Sequence, residues 1–169
     1  MSDRVAVLSH GRLEQFAPPT EVYDRPHSLF VNSFVGAANI LPGRMLGISG
    51  NEAAVELQGG TRLRLRKPHL FVPDGGDVVV CLRPEHLCIM PPDEMATDAT
   101  TGFPGTVTLG LPLGASMVHE VTLGGDITVK IAQPRGPGAA PYAANTAVRL
   151  VQAPPGPDGL PPGAIFPTP

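Results

Sequence analysis

An all-β fold is predicted for this chain, on three observations. Apolar residues alternate with polar ones in short runs of strand length. Glycine and proline, 20 and 21 of 169 residues, fall between those runs as turn punctuation. One stretch of useful length, "HSLFVNSFVG", has its apolar residues at helical spacing. Short strands with turn signals every eight to twelve residues or so make a small barrel or sandwich, and an OB-like β-barrel is the natural size.

The elements follow in order. Residues 4–8, Arg-Val-Ala-Val-Leu, form an apolar run suited to a strand buried on both faces, and a turn at His10-Gly11 leads to a second run from Leu13 to Phe16. Pro18, Pro19 and Thr20 open a single helical turn that stops before Pro26. Leu29, Phe30, Phe34 and Val35 form the helical pattern, with Gly36 as terminator. Beyond Gly36 the period changes to two. Ala53, Val55 and Leu57 face one way, and Leu63 and Leu65 answer them across Gly59-Gly60. A two-residue turn would mix the faces, so a three-residue loop, 58–60, is predicted, pairing Val55 with Leu63 and Ala53 with Leu65. "HEVTLGGDITVKI" repeats the device, its loop at 124–126 around Gly124-Gly125 setting Val121 against Val129.

Further strands are predicted at 39–46, 77–82, 86–90, 103–109 and 146–151. Residues 91–102 form a polar loop joining two strand groups within a 37–152 domain, and 133–145 form a second long loop. The last 17 residues hold seven prolines and three glycines and are expected to be a mobile tail, 153–169, without a core.

Composition excludes several classes. No apolar run approaches the roughly 20 residues of a membrane-spanning helix, and no apolar leader follows a basic start. Two cysteines, Cys81 and Cys88, are too few for a disulfide framework, so a reduced cytosolic protein is expected. A net charge of −3 argues against a nucleic-acid partner, and with no Trp and two Tyr there is little for bases to stack on.

The sequence contains no G-x-x-x-x-G-K-[ST], G-x-S-x-G, H-E-x-x-H or C-x-x-C motif. It reads as non-enzymatic, with no cofactor. Its histidines, at 10, 27, 69, 86 and 119, are scattered. Cys81, Glu85, His86 and Cys88 carry zinc-type ligand chemistry, yet both thiols lie in apolar strand runs where cysteine behaves as a small hydrophobe; core packing is expected. Arg62, Arg64 and Arg66 share one face of a strand, followed by Lys67, and read as a solvated face opposite Glu52 and Glu56 rather than a phosphate-reading stripe. In "LRPE", Arg83 and Glu85 flank a proline and, if extended, point the same way, either as a solvent ion pair or toward another surface.

Taken in order, these stretches resemble a known family. Asp3-Arg4, Gly11, Gln15, Pro19, Glu21, Tyr23, Pro26, Phe34-Val35-Gly36 and Asn39 follow the pattern that ends the ATPase domain of ABC importers and enters their C-terminal regulatory (TOBE-type) domain. "LRPEHL" matches that family's arginine-proline-glutamate strand, and "FPGTVTLGLPLGASMVHEVTLGGDITVKI" matches its later strand and hairpin. "NTAVRLVQAPP" departs from the pattern, lacking the glycine and tryptophan common near the last strand.

The resemblance implies that residues 1–36 are the end of an ATP-binding domain plus a linker helix. The phosphate loop, signature motif and Walker B carboxylate precede Asp3 in relatives, so this chain is expected not to hydrolyse ATP, as an excised domain or the product of a truncated gene. The implied role is a regulatory and dimerisation domain of an importer's ATP-binding subunit, for a polyamine, iron or phosphonate-like solute. Its partners would be the ABC ATPase domain, a second copy of itself and, indirectly, the permease at the inner face of the membrane. The residues singled out as interface or regulatory positions are Arg83, Glu85, Gly59, Gly60, Gly124 and Gly125. The alternative is a free-standing small-anion-binding module of OB-like fold.

Overall fold

The computed structural model describes residues 3–90, 102–124 and 127–168. An N-terminal segment comes first. Strands β1 (Val5–Ser9) and β2 (Arg12–Ala17) form a two-stranded sheet, followed by helices α1 (Pro19–Asp24) and α2 (Leu29–Val35). Proline stands first in α1, where its missing N–H costs nothing. Ser28 caps α2, its Oγ accepting from the Val31 N–H at 3.3 Å and donating to Glu14 at 2.9 Å. Val7, Ala17, Val22 and Val31 close a small core of their own.

The rest is built twice. Strands β3 (Asn39–Ser49), β4 (Glu52–Leu57), β5 (Arg62–Arg66) and β6 (Asp77–Leu82) form one repeat. A 3₁₀ turn at Pro84–His86 leads to β7 (Leu87–Met90); then β8 (Gly102–Leu113), β9 (Ser116–Thr122), β10 (Thr128–Pro134) and β11 (Ala147–Gln152) form the second. Gly43 of β3 pairs with Val78, as Gly105 of β8 pairs with Val148. Both long strands carry a bulge, at Met45/Gly47 and at Val107/Leu109. The turns before β6 and β11 are the same turn. Gly75 and Asn145 both take positive φ, and their N–H groups donate to Met45 and Val107 at 2.8 and 2.7 Å.

The repeats exchange their last strands. β7 leaves the first repeat and pairs with β11, and β12 (Ala164–Pro167) leaves the second and pairs with β6. The five-stranded sheets are therefore β12-β6-β3-β4-β5 and β10-β9-β8-β11-β7. One apolar core, from Leu41 to Ile165, runs through both.

The β4–β5 register is the expected one, with Val55 opposite Leu63 and Ala53 opposite Leu65. Alternation decides it, since a one-residue slip would turn every buried side chain outward. Val121 likewise opposes Val129, although residues 125 and 126 of that loop lie outside the described residues. The 91–102 loop also lies outside them, apart from Gly102.

Two expectations need correction. The tail is not coreless: Ile165 and Phe166 are buried, because the open edge of β6 offers backbone partners and an apolar face. β8 also runs to Leu113, past the expected 109, because β9 follows it to the hairpin tip.

Candidate functional site

The N-terminal segment meets the barrel at "LRPE". Pro84 fixes its own φ and supplies no N–H, so β6 ends and the chain turns. The turn is closed by the His86 N–H to Arg83 O at 2.9 Å and by the Arg83 N–H to His86 Nδ1 at 3.2 Å. That geometry sends the Arg83 side chain inward, where it is 2% exposed. Its guanidinium carbon lies 3.6 Å from the centre of the Tyr23 ring, and Nη2 donates to the Tyr23 carbonyl at 3.0 Å. The Tyr23 hydroxyl donates to Glu85 Oε1 at 2.6 Å. Burial, and then the bond to Glu85, hold the Tyr23 phenol above its ordinary pKa.

Tyr23 is thus gripped at ring, carbonyl and hydroxyl by two residues of one turn. The segment is not extended, as a common direction for Arg83 and Glu85 would require, but a 3₁₀ turn; both side chains nevertheless contact Tyr23 at the end of α1. The other terminal nitrogen, Arg83 Nη1, is buried without a partner. It closes on Gly36, where an added Cβ would lie 2.6 Å from it. Gly36 has φ 171, which any residue adopts, so the position requires smallness and not flexibility.

Two buried amides complete the seam. Gln15 donates to the Arg25 carbonyl at 3.1 Å and accepts from the His27 N–H at 2.9 Å, tying β2 to the linker. Asn39 donates to Lys130 O at 2.8 Å and accepts from Lys130 N at 2.7 Å, joining β3 of one repeat to β10 of the other.

The two glycine loops meet at Gly59 and Gly124. Gly59, at φ 92, stands so near the second hairpin that a Cβ would meet the Gly124 carbonyl at 2.6 Å. That approach and its left-handed backbone both require glycine. Gly60 faces open space, and Gly125 lies outside the described residues.

Elsewhere, Arg62 pairs with Glu56 at 2.8 Å on the outer face of the hairpin, while Arg66 turns to Asp158. Arg25 reaches the same Asp158 oxygen at 3.0 Å. Arg66, the Leu160 N–H and Arg25 together hold that exposed carboxyl down to about 2. Asp158 was not foreseen, for a tail expected to be mobile offers no fixed carboxylate. Cys81 is buried where β6 meets β12, and burial pushes its thiol up to about 12. Burial likewise raises the Cys88 thiol and lowers His86. Among the described residues, no group of three His, Cys, Asp or Glu side chains is placed to hold a metal ion. Two clefts occupy equivalent places in the repeats. One, of about 630 Å³, lies at Gly105, Thr122 and Arg149; the other, of about 410 Å³, lies at Gly43, Glu56 and Asp77.

The architecture is a twice-built, strand-exchanged OB-like barrel with an N-terminal segment clamped to it. Residues 80–155 match the family model described as TOBE domain. The chain is 40% identical over 94 residues to the spermidine/putrescine import ATP-binding protein PotA of Marinobacter nauticus, covering 56% of this chain and 25% of that protein. It is 32% identical over 136 residues to spermidine/putrescine import ATP-binding protein PotA 1 of Pseudomonas aeruginosa, covering 80% of this chain and 35% of that protein. Among solved structures it is similar to the cytoplasmic molybdate-binding protein ModG, with a TM-score of 0.60 and 14% identity, covering 77% of this chain and 96% of that one; this shows the fold. The match to a TOBE domain model and the resemblance to ABC importer ATP-binding proteins fit a C-terminal regulatory domain. The chain spans about a quarter to a third of the length of those relatives.

Proposed function

We propose that this chain is the regulatory and dimerisation domain of an ATP-binding subunit of an ABC-type importer, non-catalytic in itself, working at the inner face of the membrane. The observation that carries the reading is the grip of Arg83 and Glu85 on Tyr23. A regulatory domain acts by biasing the geometry of what it is joined to, and needs a stiff joint. Here the joint is a buried stacked guanidinium with a short hydrogen bond beside it, so the N-terminal segment and the barrel move as one body.

The apolar surface of that segment supports the reading. Leu8, Leu13 and Phe16 are half or more exposed on β1 and β2, and Phe30 and Phe34 stack on the outside of α2 at 5.8 Å. An ATPase domain packed there would cover them. Polyamine is the solute that the names of the PotA relatives favour.

A chimera tests the reading. This chain replaces the matching part of Marinobacter nauticus PotA, reconstituted with its permease in vesicles. The expected result is substrate-stimulated ATP hydrolysis that falls when Arg83→Gln loosens the joint, with nucleotide binding unchanged. A chimera that binds nucleotide but whose stimulation ignores Arg83→Gln overturns the proposed mechanism. Light scattering on the isolated chain tests dimerisation, and a mass of 17.6 kDa at every concentration counts against a dimer held by this domain alone. Stoichiometric binding of molybdate or phosphate without any effect on an ATPase would favour the small-anion module instead.

A further inference from the structure

His119 takes no part in the joint. It sits on β9 opposite Gly110 of β8 and Ile131 of β10, on the inward face, 2% exposed. Its Nε2 accepts the Tyr142 N–H at 3.1 Å, and its ring lies 5.4 Å from the Tyr142 ring. The ends of this loop are fixed, Arg135 donating to the Ala115 carbonyl at 2.8 Å and Asn145 to that of Val107 at 2.7 Å; between them, among the described residues, the bond to His119 is the one hydrogen bond running into the barrel. The loop is fitted closely there. At Gly110 an added Cβ would stand 2.6 Å from the Tyr142 carbonyl and 2.9 Å from Pro141.

An acceptor at Nε2 places the proton of the neutral ring on Nδ1, which is buried with no partner. The site therefore accommodates one protonation state. A second proton would turn Nε2 into a donor facing the Tyr142 N–H and leave a buried cation with no acceptor at either nitrogen. No charge offsets this. Gly110 and Pro112 face the ring from β8, Met117 and Val121 flank it on β9, and Val129 and Ile131 face it from β10. Glu120 and Lys130 stand on the opposite face and pair with each other, and Arg135 is exposed at the start of the loop.

We propose that His119 and the Tyr142 amide form a pH-sensitive latch that holds the middle of the loop, residues 136–144, on the barrel when the imidazole is neutral and releases it when the ring is protonated. Burial lowers the pKa of His119, in keeping with a closed state that resists the proton. The sign follows. The released ring titrates near 6.5 and the latched ring below it, so closure is complete above about pH 6.5 and is lost as pH falls through the interval beneath.

The test is a nuclear magnetic resonance titration of the whole chain from pH 8 to pH 5, following the His119 ring proton and the Tyr142 amide. Below about pH 6.5, protection of the Tyr142 amide against exchange, corrected for the intrinsic rate, is expected to fall up to about tenfold per pH unit. In His119→Gln the side-chain carbonyl accepts at every pH, and protection is expected to stay level. Constant protection in the wild type, or an unchanged pH dependence in His119→Gln, overturns the latch. Should that variant fail to fold, the wild type decides alone: a shared midpoint for ring and amide supports the latch, and separate midpoints refute it.

Discussion

Arg83 shows how much one side chain does when it is buried without a counter-charge. Its carboxylate neighbour, Glu85, is engaged with the Tyr23 hydroxyl, so the guanidinium rests on a ring face and a carbonyl. A desolvated cation–π contact is worth about 2 kcal/mol and a hydrogen bond from a charged donor about 1.5–3 kcal/mol. Arg83→Gln is therefore expected to destabilise the chain by roughly 2–4 kcal/mol in urea unfolding. Arg83→Lys is expected to recover little, because an ammonium cannot lie flat on the ring while reaching the carbonyl. Gly36→Ala attacks the same contact from the other side, its Cβ 2.6 Å from Nη1. The two losses should not add: the double variant is expected to resemble the worse single one. Full additivity in the double-variant cycle would show that Gly36 matters for some other reason. None of this was legible in "LRPE" as a string. Spacing puts Arg83 and Glu85 on one side only in an extended segment, whereas Pro84–His86 is a 3₁₀ turn, and only the fold shows that Tyr23, sixty residues earlier, lies against both.

At the scale of elements, registers were legible and destinations were not. Val55, Leu63, Ala53 and Leu65 declare their pairing because burial of one face penalises any slip. Nothing comparable in "LCIM" or "AIFP" says which sheet each will join, and the prolines around "AIFP" conceal a strand of four residues. Yet that strand covers the edge of β6, and burying Ile165 and Phe166 is worth about 1.5–3 kcal/mol each. A chain ending at Gln152 is expected to lose most of its stability, bind a hydrophobic dye and self-associate through the bare edge of β6. A compact monomer of unchanged stability would show that β12 is dispensable. The strap leading to β12 has its own pH dependence. Asp158 is held at about 2, below its unfolded value near 3.9, so its contribution is present above about pH 4 and fades as pH falls toward 2. Amide exchange at Ile165 and Phe166 is expected to quicken over that interval in the wild type and to be quick already at pH 5 in Asp158→Asn.

At the scale of the whole molecule, the strand exchange makes two repeats into one cooperative unit. Neither repeat owns its sheet, since β7 completes the second and β12 the first, and the apolar core passes through both without a break. Two barrels joined by a loop would unfold independently, each with its own midpoint. Barrels that have traded strands cannot, because unfolding either one removes an edge strand from the other. Val80 of the first repeat and Leu150 of the second test this, for each is fully buried at the equivalent place, opposite Ile165 and Ile89 respectively. Leu150→Ala is expected to cost about 2–5 kcal/mol, and Val80→Ala somewhat less. The informative result is where the loss is felt. In Leu150→Ala, exchange at the deepest amides of the first repeat, Leu41 and Val80, should quicken by the same factor as exchange at Val107 and Leu150 in the second. A loss confined to β7–β11, with the β3–β6 amides at wild-type protection, would show that the barrels unfold separately and that the exchange ties them in space but not in stability.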